Sequence, residues 1–270
     1  MSKVLHLLLL AALLALVAPR PADAAGAFNQ FVGLGDSTLD SGYFRYTSTG
    51  IASIDSQLAS AIANGASGGF SGPGVMTTTM LAGRFGLSAA PVSAGGTNFA
   101  NGSAYTSLLS ASAGSAGAAG QLPGNVSTTQ QIANYLLSVG GAANPHALYV
   151  VSSGNNDISF VQNQGAAWIA ANPAYLNGVA AEFTASVATL QAAGARTIIV
   201  PNSFYTTVLT GSGGVIPASN VDAYARTTAY GATKWSYLTA AGVRYIPADL
   251  DSLFRFAATN PLLFGFTPSS

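Results

Sequence analysis

Cysteine is absent from the 270 residues, which excludes disulfides, thiolate zinc sites and cysteine nucleophiles together. Charge is almost as scarce. Asp, Glu, Lys and Arg make up 7% of the chain and cancel to zero net charge, where about a quarter is usual. A nucleic-acid or anionic-surface partner calls for a basic patch, and this composition offers none. No His/Asp/Glu cluster has metal-ligand spacing, so neither a metal nor another cofactor is expected. After the first two dozen residues no stretch is long and apolar enough to span a bilayer. What the chain does have is apolar material: hydrophobic residues reach 49%, ample for the core of one domain. The polar surface falls to Ser, Thr, Asn, Gln and Gly.

The N-terminus reads as a targeting segment. Lys3 is followed by an apolar run from Val4 to Ala18, interrupted only by His6, and then by Pro19-Arg20-Pro21 and Ala22-Asp23-Ala24. A positive start, a short apolar core and an Ala-x-Ala site describe a secretory signal peptide. Cleavage is expected after Ala24 or Ala25. Residues 25–270 are then an exported domain of the periplasm, cell surface or medium.

Along the rest of the chain, strand and helix patterns alternate. Gln30–Leu34 reads as the first strand, with a short one near Asn98. Ala147–Ser152 and Thr197–Val200 are continuous apolar runs, as in strands buried on both faces, and Val243–Ile246 follows. Helices are expected over Ser53–Ala63, Val75–Phe85, Thr128–Val139, Pro173–Ala193, Ala218–Ala241 and Asp251–Ala258. The second should bury Val75, Met76, Met80, Leu81 and Phe85. The third should bury Ile132, Tyr135, Leu136 and Val139, with Ser127 or Thr128 as its cap. Ser110–Gly124, rich in Ala, Gly and Ser, reads as a surface loop. Such alternation implies a mostly parallel sheet with helices on both faces, a three-layer αβα sandwich. In one common doubly wound order the first and third strands lie side by side, and ligands bind at that switch point beyond their carboxyl ends.

Two polar signals fall there. One is Gly35-Asp36-Ser37, where the run Phe31–Leu34 ends in a turn and a polar, capping-type segment follows. That is how a strand delivers a serine to the lip of a sheet, at a place where a helix would begin and its unpaired N–H groups favour negative charge. The other is Gly154-Asn155-Asn156-Asp157, after the third strand. The chemistry this juxtaposition implies is acyl transfer: Ser37 attacks an ester carbonyl while preorganised donors hold the oxyanion. The candidate donors are the Ser37 N–H, a backbone N–H near Gly102, and the Asn156 amide.

At these residues the sequence resembles the GDSL esterases and lipases, or SGNH hydrolases. Gly35-Asp36-Ser37, extended by Asp40-Ser41-Gly42, is similar to their first block. Asn98-Phe99-Ala100-Asn101-Gly102 is similar to the second, and Gly154-Asn155-Asn156-Asp157 to the Gly-x-Asn-Asp block. Gly72-Pro73 before a helix and the Asn260-Pro261 to Phe266-Thr267 ending also look like the family, above all its bacterial members exported as autotransporter passengers. The resemblance implies a flavodoxin-like sheet, Ser37 as nucleophile and Gly102 and Asn156 as oxyanion donors. Asp36, Ser103, Gly154 and Asp157 would stand in support. It also implies a small ester or lipid substrate, and a β-barrel translocator encoded downstream.

Two departures stand out. Many relatives have two glycines where this chain has Gly102-Ser103, so either residue's N–H is a candidate donor. The family's closing Asp-x-x-His block, which supplies the base and its orienting acid, has no counterpart here. The chain has two histidines. His6 lies in the signal peptide, and His146 precedes a strand, at the wrong end of the sheet. The readings are a chain cut short at its C-terminal end, which would leave apolar surface exposed, or a pseudoenzyme: a non-catalytic secreted α/β domain binding a glycan or lipid. Asp40 reads as a turn or cap residue, Asp249 and Asp251 as caps, Trp168 and Trp235 as packing, and Arg84 as a surface or structural charge.

Overall fold

The computed structural model describes residues 26–69, 72, 74–107, 122–205 and 215–265. The expected signal peptide, most of the Ser110–Gly124 loop, Pro73 and the end of the family-like segment, Phe266 and Thr267, lie outside them.

The fold is α/β. Four strands, β1 (Gln30–Gly35), β2 (Ala147–Ser152), β3 (Thr197–Pro201) and β4 (Ile246–Ala248), pair in parallel in the order β1-β2-β3-β4. Among the described residues there are eight α-helices: α1 (Ala52–Ala63), α2 (Thr77–Arg84), α3 (Thr128–Ser138), α4 (Asn155–Gln162), α5 (Ala166–Ala171), α6 (Tyr175–Ala192), α7 (Val221–Ala240) and α8 (Leu250–Thr259). Alternation along the strands divides the core. Val32, Leu34, Tyr149, Val151, Ile198 and Val200 meet α3, α6 and α7 on one face. Phe31, Leu148 and Val150 meet Leu39, Ala82 of α2, Ala89 and Ala100 on the other. The result is the three-layer sandwich that the alternation implies.

The segment near Asn98 falls short of the strand expected there. It makes a single parallel bridge with Gly33, on the edge of β1 away from β2. Backbone bonds continue beside it, from Phe99 N–H to Gly33 O (2.7 Å) and from Asn101 N–H to Gly35 O (3.1 Å). The Asn98 amide reaches sideways to Leu39 O and Ser41 Oγ, each at 2.8 Å, instead of leaving a ladder to form. The segment therefore sits where the second strand of a flavodoxin-like order belongs, and β1 adjoins β2 as the switch point requires.

Three further expectations need correction. In α2 the buried residues are Thr78 and Ala82, with Leu81 and Phe85 packed on the core as expected, while Met80 (61% exposed) and Val75 (57%), which precedes the helix, face outward. Small side chains let this helix close against Leu39, whose carbonyl accepts from Thr78 Oγ1 at 3.2 Å. The last strand begins at Ile246 rather than Val243, because Val243 N–H is used to close α7 on Leu238 O (3.0 Å). Helices α4 and α5 were not expected at all: Gly154-Asn155-Asn156 reads locally as a turn. The α3 reading holds, with Ile132 and Tyr135 buried, Leu136 and Val139 packed on the core, and Ser127 accepting from Gln130 N–H as cap. Asp249 caps α8 through Ser252 N–H (3.0 Å). Trp235 packs on the core and donates to Val200 O (3.1 Å), Trp168 packs between Phe160 and Tyr175, and Arg84 is exposed.

Candidate active site

Ser37 follows β1 in a turn closed by Leu39 N–H on Asp36 O (3.1 Å). No helix starts there. The Asp36 carboxylate takes Thr38 N–H at 2.9 Å, and the Asp40 carboxylate takes Gly42 and Tyr43 N–H at 2.8 and 2.7 Å. Aspartates that bond their own neighbouring backbone in this way compete with helix formation, and the chain passes through the short 3-10 turn Tyr43–Arg45 instead. The helix N-terminus at this end of the sheet belongs to α4, after β2. Ser37 itself is exposed and makes no hydrogen bond among the described residues.

The residue before the Asp-Ser pair is clamped. Gln131, fully buried on α3, accepts from Gly35 N–H at 2.6 Å and donates to Gly35 O at 2.9 Å and Val126 O at 2.7 Å. This amide holds the last backbone unit of β1 from above, and nothing in its local sequence marks it for that role.

The loop after Asn98 is tied to the same turn. Gly102 N–H, one of the candidate donors, is engaged by the second oxygen of Asp40 at 2.9 Å. Burial pushes the Asp40 carboxyl up to about 6, with the N–H groups of Tyr43, Gly42 and Gly102 opposing. Asp40 is thus a turn residue, as expected, and also the strap that joins the first and second blocks. A Cβ on Gly102 would meet nothing nearer than 3.7 Å, so sterics do not demand glycine there. Ser103 does take a conformation suited to glycine, with φ +62°, at a cost of about 1 kcal/mol for an L-residue. Its N–H has no partner among the described residues, and its carbonyl accepts from Asn125 Nδ2 at 2.9 Å.

The third block closes the site. Gly154 starts α4 with φ +111°, and a Cβ there would run into the Tyr230 ring. Asn155 Nδ2 approaches Thr38 Oγ1 at 3.5 Å, and Asn156 Nδ2 donates to Ala104 O at 2.8 Å. Asp157 is buried and accepts from Thr106 N–H (3.0 Å) and Thr106 Oγ1 (2.9 Å). Thr106 Oγ1 in turn meets Ser153 Oγ at 2.8 Å, which also receives Thr128 Oγ1 at 3.1 Å. The three sequence blocks, far apart in the chain, are therefore joined by one hydrogen-bonded lattice at the carboxyl end of β1 and β2.

Beneath it lie charges. Asp36 is 1% exposed and its Oδ2 has no hydrogen-bond partner among the described residues. Burial raises its carboxyl above the usual range, while the Thr38 bonds and the charge of Lys234 draw it back. Lys234, on α7, is a site neighbour that the sequence reading passed over. Its signal was a lysine in step with Tyr230 and Leu238 on the buried stripe of a helix.

His146 is exposed and immediately precedes β2. Six residues of strand at about 3.3 Å each set it roughly 20 Å from the Asn156 end. A cleft of about 290 Å³ lined by Gln191, Ala195, Arg196 and Arg244 is also at that far end. A smaller hollow of about 70 Å³, bounded by Asn155, Ser159, Phe204 and Tyr205, lies on the Ser37 side. Among the described residues no group of three His, Asp or Glu is placed to hold a metal ion, and no helix is long and apolar enough to cross a membrane. Comparison with protein-family models gives no match, and comparison with curated proteins gives none either.

Proposed function

We propose that the chain is an exported serine ester hydrolase that works through an acyl-enzyme on Ser37, and that full activity needs an Asp/His pair as its base. One observation carries this reading: the exposed Ser37, without a hydrogen bond among the described residues, stands at the end of a buried strand, the loop of Ser103 is bonded to its turn through Gly102 N–H and Asp40, and Asn156 is bonded to that loop at Ala104 O. In the reaction Ser37 Oγ attacks the ester carbon, the alkoxide leaves, and water then releases the acid. Because Asp40 occupies Gly102 N–H, the oxyanion is assigned to Ser103 N–H together with the second amide hydrogen of Asn156, neutral donors that need no reorganisation. A second reading is favoured by the position of His146: a non-catalytic domain binding a glycan or lipid at the same face.

Hydrolysis of a short-chain nitrophenyl ester separates the two. The 270-residue chain, its Ser37→Ala variant and a version extended by an Asp-x-x-His block are compared. The hydrolase reading expects turnover in the extended version that is lost with Ser37→Ala. The unextended chain should retain about 10³–10⁴-fold catalysis over water at best, the level left when triad members are missing. Turnover unaffected by Ser37→Ala, or none in any version, overturns it.

A further inference from the structure

The chain has two lysines, Lys3 and Lys234, and Lys234 is 0% exposed. A lysine is ordinarily the most solvent-loving of side chains, and burying its charge is costly unless partners compensate. It serves no surface purpose here, and the neighbours it has are suited to a cation. Nζ donates to the Ser153 carbonyl at 3.2 Å and lies over the rings of Phe183 (5.2 Å) and Tyr230 (5.7 Å), an arrangement that favours an ammonium.

Two carboxylates act on its charge. Asp36 comes from the turn after β1 and Asp157 from the first turn of α4, and both oppose the effect of burial on the Lys234 charge. The other titratable groups around it are Tyr230 on its own helix and Glu182 on α6, whose charge acts on Tyr230. Asp36 Oδ2 is buried and without a hydrogen-bond donor among the described residues, and after the Thr38 bonds it is the charge of Lys234 that favours the ionised form. Each carboxylate flanks a residue of the site: Asp36 precedes Ser37, and Asp157 follows Asn156. Ser153, whose carbonyl takes the lysine, precedes the Gly154 turn that starts α4.

We propose that Lys234 is the shared counterion of Asp36 and Asp157, and that it acts as a positioning residue, fixing the turn that bears Ser37 relative to the helix that bears Asn156. The positioning half rests on the ester-hydrolase reading; the counterion half does not. Lys234 stays out of the chemistry. Asp36 continues the alternation of Val32 and Leu34 towards the α7 face, so the lysine lies beneath the Ser37 turn, not against its exposed hydroxyl.

The test is a double-mutant cycle. Lys234→Met keeps the length of the side chain and removes its charge, and Asp36→Asn removes one carboxylate. Wild type, both single variants and the pair are unfolded in urea at pH 5 and pH 7. Without the cation the two carboxylates ionise at greater cost. Relative to wild type, Lys234→Met should therefore lose at least tenfold in folding equilibrium constant between pH 5 and pH 7, and Asp36→Asn should recover most of that loss. In the extended enzyme, kcat should fall in Lys234→Met with KM held, and more at pH 7 than at pH 5. A loss equal at both pH values and additive with Asp36→Asn makes Lys234 a space-filler and overturns the proposal. Coupling without Ser37-dependent hydrolysis in any version leaves the counterion standing and removes the site it was meant to position. If Lys234→Met does not fold, the wild-type chain labelled with 15N-lysine decides. A buried Nζ titrating near pH 8, and lower still in Asp36→Asn, supports the pairing; a midpoint unmoved by Asp36→Asn overturns it.

Discussion

The β1–β2 half of the sheet and its β4 edge are built on opposite terms. Every residue of β2 is buried and so are five of the six in β1, because helices or loops cover both faces. In β4 Ile246 and Pro247 are exposed. Around that edge Leu253 (47%), Phe256 (52%), Leu262 (75%) and Leu263 (74%) also face outward, so α8, strongly amphipathic in its pattern, presents half-exposed apolar side chains, with Phe256 resting against the Phe264 ring. The polar lattice of the site stands on the sealed half. That follows from the cost of the lattice: a buried carboxylate, a buried ammonium and a clamped glycine hold one geometry only where water is kept out. An open edge could not maintain them.

The contrast can be broken at several points. Leu148→Ala, deep in β2 at 2% exposure, should cost about 2–5 kcal/mol as a core truncation, measured by urea unfolding. A loss below about 1 kcal/mol would mean that this half is not close-packed. Gln131→Ala should cost roughly 2–3 kcal/mol, since it strands the buried N–H of Gly35, and in an active version it should lower kcat more than KM because Ser37 is two residues on. Asp40 sets a smaller, pH-dependent effect. Its folded carboxyl titrates at about 6, above its ordinary 3.8. Protonation is therefore favoured in the folded state, and the stability Asp40 contributes is full below about pH 4 and lost as pH rises through 6. The deficit of Asp40→Asn against wild type should accordingly shrink by about 1–3 kcal/mol between pH 4 and 7; a deficit that grows with pH would reverse the sign. Smallest of all, Leu262→Ala on the open edge should change stability by less than about 0.5 kcal/mol while reducing binding of a hydrophobic dye, if that edge carries none of the packing.

Much of the sealed half was readable from local pattern. A continuous apolar run such as Ala147–Ser152 has few options other than a strand covered on both faces, and the period of Ile132, Tyr135, Leu136 and Val139 matches what α3 buries. Reading failed where tertiary contacts outvote periodicity. Val75 and Met80 look like part of the buried face expected over Val75–Phe85, yet Thr78 and Ala82 take it because the helix must approach Leu39 closely. Asn98 sits in a strand-like stretch, but its amide is spent on Leu39 and Ser41. In the site, Ser37, Gly102, Ser103 and Asn156 were legible as types at a spacing; the hold of Asp40 on Gly102 N–H was not, nor were the roles of Gln131 and Lys234.

By itself, then, the amino-acid sequence determined the alternation of strands and helices, the burial of the central strands and the three polar blocks, because apolar periodicity and turn chemistry are local properties of a chain. Only the tertiary structure decided which N–H each carboxylate occupies, that an amide on α3 clamps the end of β1, and that a buried lysine on α7 donates to the Ser153 carbonyl at the end of β2. Those are contacts between residues many dozens of positions apart, and their energies depend on exclusion of water, which no single segment can arrange alone.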